Sequence, residues 1–124
     1  MKIRIQGNSI RFRLKQTEVK HFNEEGEIKE ELSFGILPAD KLSFVLKAGG
    51  SGAFTITFES NVVMLQVPAV ICAEWTNTDL VGFEEKVTIG EGEMITVLIE
   101  KDFKCLDGSD VDNKDTYPNP NQHC

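Results

Sequence analysis

Hydrophobic and polar residues alternate along most of the chain, which is the pattern of β-strands with one buried and one exposed face. The alternation is interrupted twice by helical spacing, once at Val19 and Phe22 and once at Cys72 and Trp75. The pattern predicts eight strands and two short helices. Their inward positions are Ile3 and Ile5; Ile10, Phe12 and Leu14; Ile28, Leu32 and Phe34; Leu42, Phe44 and Leu46; Phe54, Ile56 and Phe58; Val63, Leu65 and Val67; Val81, Phe83, Val87 and Ile89; and Ile95, Val97 and Ile99.

Residues that favour turns and helix ends separate these elements. Gly7-Asn8 is a dipeptide that closes tight hairpins. Thr17 is a candidate N-cap of the first helix and Gly26 its stop, while Pro68 suits the first turn of the second helix. The pattern therefore predicts one ββαββ unit in each half of the chain.

The two units repeat each other at one offset without a gap. A shift of 53 positions places Asn8 on Asn61, Ile10 on Val63, Phe22 on Trp75, Ile28 on Val81, Phe34 on Val87 and Leu46 on Ile99. An internal duplication explains this agreement, and two unrelated ββαββ patterns are the alternative.

The predicted organisation is one domain with four segments. They are a first repeat (1–47), a glycine-rich joint (48–53), a second repeat (54–100) and a C-terminal extension (101–124). The predicted fold is α+β and mostly β. Two ββαββ repeats related by a pseudo-two-fold axis would form a curved antiparallel sheet or a partly closed barrel with two short helices.

Composition narrows the functional classes. The chain has 124 residues and a net charge of −7, so its overall field repels nucleic acid. No apolar run reaches the roughly 18 residues of a membrane helix, and the alternating N-terminus does not resemble a signal peptide. Three widely spaced cysteines favour a reducing compartment over a disulfide framework, which predicts a cytoplasmic protein.

One hairpin carries a basic face. Lys2, Arg4, Arg11 and Arg13 project from the outward side of the first two predicted strands, and the matching hairpin of the second repeat has no such face. The four cations could bind an anion, since arginine grips phosphate or carboxylate through two hydrogen bonds. The alternative is a solvated face paired with acidic side chains of neighbouring strands.

The C-terminal extension contains four closely spaced acids: Asp107, Asp110, Asp112 and Asp115. They do not form an EF-hand loop, because Lys114 occupies a ligand position. A looser Mg²⁺ or Ca²⁺ site is one interpretation and a hydrated loop the other. Cys105, His123 and Cys124 lack the paired spacing of a zinc site, so no cofactor is predicted.

The rest of the extension has the composition of a segment that docks. An aromatic residue followed by two prolines is stiff and loses little entropy on binding. The residues predicted to hold the extension against the body are Phe103, Leu106, Tyr117, Pro118 and Pro120.

Several segments resemble a family of small uncharacterised bacterial proteins. They are the opening MKIRI, GNSIR and Arg13-Leu14, the central EWTNTD and Val81-Gly82, and the closing KDFKCL and DTYPNP. The resemblance covers essentially the whole chain. It implies a domain of unknown function, and it implies that the extension is a family feature.

Catalytic groups are scarce. The sequence has two histidines, no glycine-rich phosphate loop and no hydrolase signature. Cys105, beside Lys104, is the candidate nucleophile. The favoured hypothesis is a small module that binds a protein or a small anionic ligand through the basic face and the extension, with a homodimer left open. The alternatives are a metal-dependent or thiol-based enzyme centred on Cys105 and the aspartates, or a purely structural pairing of face and tail.

Overall fold

A computed structural model describes residues 1–50, 52–104 and 113–118. Within these ranges the predicted eight strands and two helices are confirmed, with one 3₁₀ helix in addition. The elements are β1 (Lys2–Gln6), β2 (Ser9–Leu14), α1 (Gln16–Glu25), β3 (Glu27–Ser33), the 3₁₀ helix (Pro38–Asp40), β4 (Lys41–Ala48), β5 (Thr55–Glu59), β6 (Val62–Val67), α2 (Ala69–Asn77), β7 (Gly82–Gly90) and β8 (Glu93–Lys101).

The strands form two four-stranded sheets. Sheet A has the order β1-β2-β8-β7 and sheet B the order β3-β4-β6-β5. In the part of the chain that the structure describes, neither sheet closes into a barrel. The prediction of an antiparallel sheet is wrong at both sheet centres, because β2 runs parallel to β8 and β4 to β6. Only strands joined by a local hairpin are antiparallel, and each central pair combines strands from different halves of the chain.

The central pairs have equivalent registers in the two sheets. Ser9 lies opposite Thr96 in sheet A. The residues 53 positions away from these two, Val62 and Ser43, lie opposite each other in sheet B. The offset of 53 positions read from the sequence therefore relates β2 to β6 and β4 to β8.

The offset does not extend to β3 and β7. Leu46 lies opposite Ile28, whereas Ile99, 53 positions after Leu46, lies opposite Phe83. Phe83 is 55 positions after Ile28, so the predicted ungapped match of Ile28 with Val81 is wrong. The reason is a longer connection from α2 to β7 than from α1 to β3.

The core lies between the inner faces of the sheets and under the two helices. Its strand residues are the inward positions of the alternating pattern, and its helix residues are the apolar positions three residues apart in each helix. The buried hydrophobic cluster is Ile10, Phe12, Leu14, Val19, Phe22, Ile28, Phe44, Leu46, Leu65, Val67, Cys72, Trp75, Val87, Val97 and Ile99. Helix α1 stops at Gly26, which adopts a left-handed conformation and donates its N–H to the carbonyl of Phe22 at 2.8 Å. Neither described helix is long and apolar enough to cross a membrane.

Six predicted inward positions are exposed, namely Ile5, Leu32, Phe34, Phe58, Val81 and Ile89. Leu32, Phe34 and Ile89 are 52, 74 and 53% exposed. They lie at or beyond the ends of the edge strands β3 and β7, next to the hairpin connections. Alternation predicts which face a side chain joins, but it does not predict whether another element covers that face. The helices follow the opposite ends of β2 and β6, so they leave this end uncovered.

Candidate functional site

The four cations of the predicted anion-binding face lie together on the outer face of sheet A. Lys2 is opposite Arg13 and Arg4 is opposite Arg11 in the β1–β2 hairpin. Like charges that face each other across two strands repel, so this arrangement requires anions nearby.

Two carboxylates at the end of β8 supply that negative charge. Asp102 is 1% exposed; its Oδ2 lies 3.0 Å from Lys2 Nζ and its Oδ1 3.3 Å from Arg13 Nη2. Glu100 Oε1 lies 2.8 Å from Arg11 Nε. Asp102 Oδ2 and Glu100 Oε1 lack the angles of a hydrogen bond, so their contacts are ion pairs by distance. Anion binding by the four cations stays a prediction, and three of them already have an acidic partner.

Arg4 is the member of the set that has no ion pair with a described residue. A small pocket of about 120 Å³ lies beside it, and Arg4, Gln6, Ser9, Arg11 and Leu98 line it. An anion in this pocket would meet Arg11 only in competition with Glu100, so the net positive charge available there is small.

Residues 113–118 of the extension pack against residues 101–104, at the end of β8. The backbone N–H of Tyr117 donates to the carbonyl of Asp102 at 2.8 Å, and that of Lys104 donates to the carbonyl of Tyr117 at 2.6 Å. The rings of Tyr117 and Phe103 are 5.9 Å apart. Lys101 Nζ lies 5.5 Å from the Tyr117 ring centroid, within the range of a cation–π interaction. Phe103 and Tyr117 therefore contact each other, and Tyr117 also contacts the end of β8, while their role in docking the extension stays a prediction.

The other residues predicted to dock are Leu106, Pro118 and Pro120, and only Pro118 is among the described residues. Pro118 is exposed. Leu106 and Pro120 lie outside the described residues.

The same segment caps α1. The N–H of Gln16 donates to the carbonyl of Asp115 at 3.0 Å, and Asp115 Oδ2 accepts from the N–H of Thr17 at 3.1 Å and from its hydroxyl. These bonds satisfy N–H groups that have no partner within the helix. The predicted N-cap role of Thr17 is wrong, because the N-cap is Lys15 and Thr17 lies inside the helix. The hydrogen bond from Thr17 lowers the pKa of Asp115 and outweighs burial, which acts to raise it.

We expect Asp115→Ala to reduce the free energy of unfolding by about 1 kcal/mol at neutral pH, the usual cost of losing a helix cap. The pKa of Asp115 is lower in the folded chain than its usual 3.8. The contribution of this carboxylate to the free energy of unfolding is therefore fully present at pH values above 3.8. The contribution is lost as the pH falls through the lowered folded pKa. Urea denaturation at neutral and acidic pH measures both effects.

The control for this measurement is Asp115→Asn, which keeps a cap oxygen but removes the charge. It should retain most of the stability at neutral pH and lose the pH-dependent part. Equal stability of Asp115→Ala and the wild type at neutral pH would show that the cap is dispensable.

Most of the predicted metal and thiol chemistry falls in 105–112 and 119–124, outside the described residues. This applies to Cys105, Asp107, Asp110 and Asp112. The fourth acid, Asp115, is engaged at α1 as described above. Among the described residues no group of three histidine, cysteine or acidic side chains is arranged to hold a metal.

Cys72 is the described cysteine, and its environment is apolar. It is 6% exposed on α2, and burial raises the pKa of its thiol to about 11. The thiol is therefore protonated at neutral pH, which fits the expected core position and not a nucleophile.

An apolar cleft with a volume of about 540 Å³ lies between the two sheets. It lies where the hairpin turns are, at the end of the strands opposite the helices. Its lining contains nine hydrophobic residues, one glycine and three uncharged polar residues. They are Ile5, Ile10, Leu42, Phe44, Ile56, Phe58, Val63, Ile89 and Ile95, then Gly7, and then Asn8, Ser9 and Thr57.

The rim of the cleft holds apolar side chains that are incompletely covered. Ile5, Phe58 and Ile89 are 64, 69 and 53% exposed. Three large apolar side chains around one concave surface form a contiguous patch, and such patches mark binding sites more often than isolated exposed residues do.

Sequence reasoning missed the cleft because it assigned all of these rim residues to the core. A signal was nevertheless available. Ile5 and Phe58 are the last apolar residues before the turns Gly7-Asn8 and Ser60-Asn61, so each lies at the end of an alternating pattern. The end of a strand in a small two-sheet protein is the position that a facing element is least able to cover.

A comparison with family models identifies the chain's relatives. The model described as a family of unknown function, DUF7009, matches residues 1–121. The chain belongs to this family. No curated protein and no solved structure matches it. The match to DUF7009 confirms the predicted resemblance to an uncharacterised family, and it covers the basic face, the cleft and the extension as far as residue 121.

Proposed function

We propose that this protein is a binding module whose binding site is the apolar cleft between the sheets, and that the cleft receives an apolar group of its partner. The observation that carries the proposal is an uncharged, largely hydrophobic lining around a volume of about 540 Å³. That volume lies within the roughly 300–1,000 Å³ of ligand pockets.

The rim provides the free energy for binding. Phe58 and Ile5 expose about two thirds of their surface to water. Covering such a side chain contributes on the order of 1–2 kcal/mol, so a group that covers the whole rim gains several times that amount before the cost of association.

The few polar groups in the cleft favour an apolar occupant over a polar one. Asn8 Nδ2 already donates to the carbonyl of Met94 at 2.6 Å. The other polar side chains of the lining are the hydroxyls of Ser9 and Thr57. A ligand rich in charges would lose its hydration without gaining partners. The site therefore selects by shape and hydrophobicity.

The basic face and the extension receive less support as a recognition surface. Lys2, Arg11 and Arg13 are paired with acids of the same chain, and 113–118 is engaged with α1 and β8. These described contacts give the residues concerned structural partners within the chain. Recognition of an anion at Arg4 remains a separate prediction.

Phe58→Asp tests the proposal with the fluorescent apolar probe N-phenylnaphthylamine. A carboxylate on the rim should weaken probe binding about tenfold, because it replaces a favourable apolar contact with a charge that must be desolvated. A fluorescence titration measures the affinity, and circular dichroism checks the fold, which should persist because Phe58 is already 69% exposed.

The matched control is Val70→Asp. Val70 is 79% exposed on α2 and outside the cleft lining, so this variant should bind the probe like the wild type. Absence of probe binding in the wild type and in every variant, or a Phe58→Asp variant that binds the probe unchanged, would contradict the proposal.

We further propose that the two halves arose by duplication and are related by a pseudo-two-fold axis that passes near the cleft. The equivalent registers of the central strand pairs support this. The lining supports it too, since three pairs of lining residues are 53 positions apart. These pairs are Ile5 with Phe58, Ile10 with Val63, and Leu42 with Ile95.

A further inference from the structure

The connection between β3 and β4 projects apolar side chains into solvent. Phe34, Ile36 and Leu37 are 74, 97 and 60% exposed. The segment from Phe34 to Ala39 contains no charged residue, although 27% of the chain is charged. We call residues 34–37 the apolar loop.

Hydrogen bonds hold the apolar loop in one conformation. The N–H of Phe34 donates to the carbonyl of Asp40 at 2.8 Å, and the N–H of Asp40 donates to the carbonyl of Leu37 at 2.9 Å. Asp40 Oδ2 also accepts from the N–H of Leu37 at 3.2 Å. A side chain at Gly35 would come too close to that carboxylate and would displace the Asp40 side chain from this position. A loop ordered before binding loses little conformational entropy when it docks.

The loop and the cleft lie at the same end of the molecule. The loop leads through the 3₁₀ helix into β4, whose Leu42 forms part of the cleft wall. Asn61, in the β5–β6 turn, donates through Nδ2 to the carbonyl of Ala39 at 3.1 Å and so connects the loop to the strand pair that carries Phe58. One chain therefore presents an apolar projection and an apolar cavity side by side.

We propose that the cleft is filled by the apolar loop of a second copy of this chain, in a two-fold symmetric dimer in which each loop enters the partner's cleft. This rests on the proposed function of the cleft as a binding site. An isologous dimer needs a projection and a cavity on one surface, which is the arrangement described above.

Charge and area favour a second copy over an unrelated partner. Each chain carries a net charge of −7, so two copies associate only through a region free of like charges, and the loop and the cleft lining are both uncharged. The exposed apolar side chains at this end include Ile5, Leu32, Phe34, Ile36, Leu37, Phe58 and Ile89. With flanking backbone they present on the order of 800 Å² per chain, the area of a standard interface.

Sedimentation equilibrium of the full chain tests the dimer. The apparent mass should rise with protein concentration from 13.9 kDa towards twice that value. Ile36→Asp should weaken the dimer at least about tenfold, and Phe58→Asp should do the same from the cleft side. Val70→Asp should leave it unchanged.

A mixture of Ile36→Asp and Phe58→Asp distinguishes the loop-in-cleft contact from any other association. The first variant has an intact cleft and the second an intact loop, so a mixed dimer regains one complete contact. The mixture should therefore associate more tightly than either variant alone. A mixture that associates no better than its components would overturn the proposal.

Asp40→Ala tests the ordering of the loop without changing an apolar side chain. It removes the carboxylate that accepts from Leu37, and it should weaken the dimer by a smaller factor than Ile36→Asp. Dimerisation equal to wild type would overturn the claim that loop order contributes to the affinity of the dimer.

Probe binding separates failure of the dimer from failure of the binding site. With the dimer lost and the cleft intact, Ile36→Asp should bind N-phenylnaphthylamine at least as tightly as the wild type. A monomeric wild type that binds the probe as tightly as Ile36→Asp would refute the dimer and keep the binding site. Absence of probe binding in every variant would refute both.

A membrane is the other surface that an apolar loop could enter. Phosphatidylcholine vesicles test it by co-sedimentation. Vesicle binding that depends on Ile36, in a chain that stays monomeric, would overturn the dimer.

Discussion

Trp75→Ala should lower the free energy of unfolding by about 4 kcal/mol, the usual range for loss of a buried tryptophan being about 3–5 kcal/mol. Trp75 is completely buried. Its ring lies 6.3 Å from that of Phe22 on α1 and 5.9 Å from that of Phe83 on β7, both in edge contact, and its Nε1 donates to the carbonyl of Val81 at 3.0 Å. One side chain thus joins both helices to the edge of sheet A.

Thermal and urea denaturation followed by circular dichroism measure this loss. Domains of this size have total stabilities of about 5–15 kcal/mol, so the variant should melt roughly 15 °C lower. Trp75→Phe should cost less than half as much, because it keeps a ring between the two partners and loses only the hydrogen bond and part of the volume.

Val70→Ala is the control on the same helix, and it should change stability by less than about 0.5 kcal/mol because Val70 is exposed. A melting temperature of Trp75→Ala within a few degrees of the wild type would show that α2 is not held by this contact. The inference that the helices close one end of the two-sheet core would then fail.

Asp102→Ala should lower the free energy of unfolding by about 2–3 kcal/mol, the second largest effect that we expect. Its carboxylate is buried between Lys2 and Arg13, and its backbone N–H donates to the carbonyl of Leu14 at 2.8 Å. Removing one partner of a buried ion pair costs about 3–5 kcal/mol when the remaining charge stays buried. Here the loss is smaller, because the Lys2 and Arg13 side chains are 46 and 32% exposed and can turn towards water.

Urea denaturation of Asp102→Ala measures the effect, with Glu84→Ala as the matched control. Glu84 is an exposed acid on the outer face of the same sheet, in β7. The control should be within about 0.5 kcal/mol of the wild type. If the two variants lose equal stability, the ion pairs at Asp102 are no more important than an ordinary surface charge.

The local pattern was sufficient to predict the elements, because strand alternation and helical spacing depend only on neighbouring residues. In β2 the predicted inward residues Ile10, Phe12 and Leu14 are all buried. The same reasoning placed Leu32 and Phe34 in the core, where it was wrong. Coverage of a face depends on elements distant in sequence, and no local pattern contains that information.

The assembly of the strands was not predictable in the same way. A hairpin has its partner a few residues away, but β2 pairs with β8 across most of the chain. That parallel pairing brings Asp102 beside Arg13. From the sequence alone, the basic face could be read equally as an anion site or as a surface paired with acids. The positions of Asp102 and Glu100 together give three of its four cations a partner.

The sequence by itself determined the order of the elements, the inward faces of most strands, the two helix anchors and an offset that relates the central strands of the two halves. These properties follow from residue chemistry and short-range spacing. Only the tertiary structure decided that the strands divide between two mixed sheets, that Asp115 caps α1, and that the turn end stays open as an apolar cleft beside an apolar loop. Each of these depends on contacts between residues far apart in the chain, which form only when the whole core is assembled.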